Sequence, residues 1–130
     1  MMILPISLAA AGAAALINLW LSIRIGSLRA AKKVSVGDGG DESLMRRMRA
    51  QANFIENTPI ALILFAVIEA ARPMNLWLAI IAGVFTLGRV AHGVGMDGGA
   101  LGKGRMVGTL TTMLTLLGLG LWAVVIAVLK

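Results

Sequence analysis

Six residues carry most of the chemistry this chain could perform. Arg49, Asn53 and Glu56 are spaced four and three apart, so on a helix they stack along one face as a cation, an amide and an anion. Arg89 and His92, three apart, share a face of a later segment, and Arg105 stands at the head of the last one. Arginines suit carboxylates or phosphates, whereas a carboxylate beside an asparagine suits an amine and an amide. A small zwitterionic peptide meets all of these groups, and on chemistry alone a phospholipid headgroup fits nearly as well. Arg89 is also the natural opposite charge for Glu56, and such a pair would hold two helices together with or without a ligand. His92 taken alone reads as a packed, hydrogen-bonded residue. There is no Ser/His/Asp set and no metal-ligand spacing, and the glycines around Asp97 lack the lysine and hydroxyl of a phosphate loop.

The elements that must position these groups are apolar. A bilayer core about 30 Å thick needs roughly 20 apolar residues per spanning helix, because only a helix satisfies its own backbone there. Four segments qualify, with helices expected over about 3–30, 44–71, 74–93 and 105–129 and a loop over about 31–43. The first is uncharged as far as Ile23 and the last is uncharged from Met106 to Leu129. The second is interrupted by Gln51, Asn53, Glu56, Asn57 and Glu69, and Arg72, Pro73 and Asn75 mark a tight turn before the third. Asp41 or Ser43 could cap the second helix, and Pro59 should kink it just beyond Glu56. The small residues of Gly104-Arg105-Met106-Val107-Gly108 suit close helix packing.

Composition agrees with a membrane domain. The 130 residues are 58% hydrophobic and only 14% charged, where a soluble domain averages about 25% charged residues. Those figures argue against a soluble globular protein and against disorder. Zero Cys removes disulfides, thiol nucleophiles and thiolate metal sites together. A net charge of +6 could suggest nucleic acid, but the basic residues lie between apolar runs and aromatics are only 5%, so no nucleic-acid partner is expected.

The charge reads instead as topology. Arg24, Arg29, Lys32, Lys33, Arg46, Arg47 and Arg49 crowd the first connection, and Lys103 and Arg105 flank the third, against only Arg72 and Lys130 on the other side. The excess of positive charge on the cytoplasmic side then places both termini outside and the site toward the cytoplasm. Having no positive charge before Arg24, the first segment is expected to be a retained helix rather than a cleaved signal.

The run from Arg47 to Pro59 resembles the signature of the MAPEG family, the membrane-associated proteins of eicosanoid and glutathione metabolism: Arg49-Ala50-Gln51, then Asn53, Glu56 and Pro59. Gly88-Arg89-Val90-Ala91-His92 resembles the third-helix motif of its prostaglandin-forming members, and Arg105 follows where that family carries a catalytic arginine. The resemblance covers nearly the whole chain. It implies a homotrimer of four-helix bundles in membrane lipid, with glutathione as co-substrate between subunits. By the same resemblance Arg49, Gln51, Asn53, Glu56, Arg89 and His92 would line the glutathione site, and Arg29 would reach in from the neighbouring subunit. Arg105 would be catalytic. A thiol with a pKa of about 8.5 is mostly protonated at neutral pH, and a nearby cation favours the nucleophilic thiolate. The implied activity is a glutathione transferase or peroxidase acting on a lipophilic electrophile or lipid hydroperoxide.

The chain departs from that pattern in having no Tyr at all. Asn57 and Met96 stand where some members carry tyrosines, and Ala52 replaces an arginine of the prostaglandin-forming branch. These changes leave thiolate stabilisation resting on Arg105. Two other functions compete: a non-catalytic membrane trimer that binds lipid or glutathione, and a small-molecule transporter using Glu56. Exporters of similar length usually carry their glutamate in the first helix, whose membrane stretch is uncharged here.

Overall fold

The computed structural model describes residues 2–129, which fold into four α-helices: α1 (Pro5–Lys32), α2 (Glu42–Ala71), α3 (Leu76–Gly95) and α4 (Lys103–Val128). A single 3-10 turn, Gly99–Leu101, separates α3 from α4. All four helices are long and apolar enough to cross a membrane.

Local chemistry sets the helix ends. Pro5 occupies the first turn of α1, where its missing N–H is no loss. Lys33 closes α1 in a left-handed conformation, φ 57°. Asp41 caps α2 by accepting the Leu44 N–H at 2.9 Å, and Asn75 caps α3 by accepting the Leu78 N–H at 3.2 Å. Hydrogen bonds from Ser43 and Lys32, together with the Leu44 amide, hold the Asp41 carboxyl well below the usual carboxylate range. Helix α2 continues through Pro59 as one helix and stops at Ala71, before Pro73.

The most extensive packing is of α3 on α4 and of α1 on α2. Two apolar clusters fill the interior. Phe65, Ile68, Leu78, Phe85 and Leu119 form one, with the Phe65 and Phe85 rings edge to face at 6.0 Å. Ala14, Ile17, Leu21, Ala50 and Phe54 form the other. Lipid is as apolar as these side chains, so helices associate through close packing and interhelical hydrogen bonds. The α3–α4 crossing shows how tight that packing is. A methyl group on Gly108 would sit 2.4 Å from the Gly88 carbonyl oxygen, and one on Gly95 would sit 2.0 Å from the Arg105 backbone nitrogen. Gly104 and Gly108 are therefore used inside the chain, to bring α4 against α3.

Glu69, 1% exposed, secures the end of the bundle away from the basic connections. Its carboxylate accepts the backbone N–H of Ile6 at 2.9 Å, that of Ser7 at 2.8 Å and the Ser7 hydroxyl at 2.6 Å. An anion at a helix start satisfies amides that have no partner within the helix and complements its dipole. Leu4 offers no side-chain cap of its own.

Candidate functional site

The C-terminal end of α1, the N-terminal end of α2, the C-terminal end of α3 and the start of α4 meet at the basic end of the bundle. Asp97, two residues beyond α3, accepts from Arg47 Nε at 3.2 Å and pairs with the Arg24 guanidinium. Arg24 also donates to the Gly93 carbonyl at 2.9 Å and lies 4.7 Å from the centre of the Trp20 ring. Arg47 donates to the Arg24 carbonyl at 3.0 Å. The two arginines are thus committed to the chain itself.

Arg89 is committed as well, and its partners differ from the sequence expectation. Only 2% exposed, it donates to Asn53 Oδ1 at 2.8 Å and to the Thr112 hydroxyl at 2.9 Å, with its guanidinium 5.7 Å from the centre of the Phe54 ring. Glu56 does not pair with it. On α2, Asn53 stands one turn before Glu56 and projects toward α3, whereas Glu56 is on an exposed surface of the helix. Neutral acceptors from α2 and α4 take the place of the expected carboxylate.

Arg49, Glu56 and Arg105 are a different group. All three are exposed, and among the described residues none of them has an ion-pair partner. Glu56 stands near the middle of the 30-residue α2. Ile55 and Pro59, close to it in sequence, line an apolar groove between α1 and α2. Arg105 lies in the first turn of α4, its backbone against Gly95.

The remaining sequence candidates divide between half-buried and buried positions. Asn53 spends its carbonyl oxygen on Arg89, so its amide nitrogen is what it can offer a ligand. Gln51 donates to the Ser22 hydroxyl at 2.6 Å and more loosely to Asn18 Oδ1 at 3.4 Å. Arg29 folds over its own loop, donating to the Gly37 carbonyl at 2.6 Å and contacting Met48 Sδ at 3.5 Å. His92 is buried against α4, where a methyl on Gly108 would sit 2.4 Å from its Cβ, and its Nδ1 has no partner among the described residues. Among the described residues the structure therefore leaves Arg49, Glu56 and Arg105 without an ion-pair partner and draws Arg89 and His92 inward.

Two positions with clear structural consequences were not singled out from the sequence. Glu69 was noted only as a polar interruption, and Asp97 only as part of a glycine run. A signal for Asp97 was present, since it is the only acidic residue after Glu69 in a strongly basic chain.

Comparison with known proteins supplies one positive finding. The model of the MAPEG family matches residues 7–125. No curated protein matches the chain. A match over nearly the full length shows the family: the chain belongs to the MAPEG family and is a multi-pass integral membrane protein.

Proposed function

We propose that this MAPEG chain binds glutathione at the basic end of its bundle and uses Arg105 to hold the thiol as a thiolate for attack on a lipophilic electrophile. The supporting observation is the contrast between satisfied and free charges. Arg24, Arg47, Arg89 and Glu69 all have partners inside the chain, whereas Arg49, Glu56 and Arg105 have none among the described residues; Lys33, Arg72 and Lys103, at helix ends, have none either, so it is the mid-helix Glu56 with two arginines toward the basic end that marks the site. An unpaired ionisable group deep in a membrane helix costs several kcal/mol, so Glu56 above all calls for a partner from outside the chain, and Arg49 and Arg105 lie toward the basic end, where the same ligand would meet them.

Glutathione fits the free set. Its two carboxylates suit Arg49 and Arg105, its ammonium suits Glu56, and its amides suit the Asn53 nitrogen donors. A guanidinium near the sulfur favours the ionised thiol. The apolar groove beside Pro59 and the lipid itself would supply the electrophile or lipid hydroperoxide. Because Arg49 and Glu56 face outward, a second and third copy of the chain would close the site, as a homotrimer. The basic end would face the cytoplasm, with both termini on the other side.

The absence of Tyr favours a second function, a trimer that binds glutathione or lipid without catalysis, since no phenol is available to assist the sulfur. Calorimetric titration of the detergent-purified protein with glutathione tests the binding step. Binding that Arg49→Ala and Glu56→Gln each weaken by about tenfold supports it, since a charged hydrogen bond is worth roughly 1.5–3 kcal/mol. Binding unaffected by both variants contradicts it.

A further inference from the structure

We infer that Asp97 is a positioning residue for Arg105, acting as a clamp on the connection between α3 and α4. The catalytic half of this inference rests on the glutathione function proposed above, while the clamp stands on the geometry alone. One carboxylate gathers three helices. It takes Arg24 from α1 and Arg47 from α2 at the end of α3, and Arg24 returns a hydrogen bond to Gly93 within α3. Arg47 then ties α2 to α1 through the Arg24 carbonyl.

The chain beyond Asp97 has little stiffness of its own. Gly98, Gly99, Gly102 and Gly104 are four of the seven residues 98–104, and Gly98 and Gly99 adopt φ 82° and 67°. Glycine loses more conformational freedom on ordering than any other residue, so such a connection needs an external anchor. Asp97 is that anchor on the α3 side. On the α4 side, the Arg105 backbone packs so closely on Gly95 that not even a methyl group fits between them. What fixes the end of α3 therefore fixes the backbone of Arg105.

Charge and position act in opposite directions, which makes the role separable. Removing the Asp97 carboxylate leaves two uncompensated guanidiniums near the site, and that added positive field alone would lower the pH at which a bound thiol ionises. Loss of Arg105 placement would raise it. The positioning role predicts the rise.

The test uses the full chain in detergent, as the wild type, Asp97→Asn, Asp97→Glu and Arg47→Gln, with two readouts. Amide hydrogen exchange across residues 98–106 should quicken by about tenfold or more in Asp97→Asn, less in Arg47→Gln, and return toward the wild type in Asp97→Glu, while residues 6–10 stay unchanged. The thiolate absorbance of bound glutathione should titrate at higher pH in Asp97→Asn and recover in Asp97→Glu. Unchanged exchange across 98–106 overturns the clamp whatever glutathione does. Faster exchange with a titration that is unmoved or shifts to lower pH overturns the link to Arg105. A wild type that shows no thiolate is a failure of the proposed function and removes the catalytic half, leaving the exchange data to decide the clamp. If Asp97→Asn does not fold, the same criteria apply to Arg47→Gln, where wild-type exchange overturns the clamp.

Discussion

Arg89 on α3 donates to the carboxamide oxygen of Asn53 on α2 at 2.8 Å and so spans the interior of the bundle, with the Thr112 hydroxyl on α4 as its second acceptor. One buried guanidinium thereby joins three helices through neutral groups. The same bond orients Asn53, turning its nitrogen donors away from Arg89, and sets a residue of the proposed glutathione site from behind.

Asn53→Ala should therefore act on stability as well as on binding. Removing an acceptor from a buried guanidinium costs about 1.5–3 kcal/mol. Denaturant unfolding in detergent without glutathione should show that loss, and wild-type stability would mean that Thr112 alone suffices for Arg89.

Glu69 should govern the order of the start of α1. Glu69→Ala leaves the Ile6 and Ser7 amides and the Ser7 hydroxyl without their acceptor. We expect a loss of about 2 kcal/mol and faster amide exchange over residues 6–10, with Glu69→Gln intermediate because its carbonyl oxygen still accepts. Equal behaviour of the two variants would show that the charge contributes all of the effect.

The glycines should separate into two classes. Gly108→Ala places a methyl group against the Gly88 carbonyl and His92, and forcing α3 and α4 apart should cost about 1–3 kcal/mol or more. Gly118→Ala meets nothing within 4 Å and should be neutral or stabilising by up to about 1 kcal/mol. Thermal melting of both variants in one detergent checks the contrast.

The cap of α2 should be insensitive to mild acid. The Asp41 carboxyl is held below its ordinary value of 3.8, chiefly by Ser43 and Lys32, so folding favours its ionised form. A depressed carboxyl contributes its stability above the ordinary value and loses it as pH falls through the folded value. Protection of the Leu44 and Met45 amides, corrected for intrinsic exchange rates, should hold from neutral pH to about pH 5 and weaken only below the ordinary carboxylate range. A loss centred near pH 6 would contradict the role of Asp41.

Much of the fold was legible because it follows from one-dimensional signals. Four apolar runs, a Pro-containing turn and a cap at Asp41 or Ser43 specify the spans and much of their ends, and the structure uses Asp41. Partner choice was harder to read. Helical spacing placed Asn53 and Glu56 on one side of α2, but a small rotation about the helix axis decides which of them meets Arg89, and opposite charge favoured the wrong one. Asp97 and Glu69 were obscured for a related reason: their partners are 62 to 73 residues away in sequence for Ser7 and Arg24, beyond any local pattern. The free state of Arg49, Glu56 and Arg105 is a property of the folded chain, since spacing alone does not show which charges find internal partners.

In the proposed site Arg105 keeps bound glutathione ionised. An ultraviolet difference titration of the purified protein with glutathione at neutral pH measures this directly, comparing the wild type with Arg105→Ala. We expect a saturable thiolate absorbance in the wild type that Arg105→Ala abolishes, with turnover lowered by orders of magnitude in an otherwise folded protein. Equal thiolate absorbance in both proteins, or glutathione bound with its thiol still protonated, would contradict it.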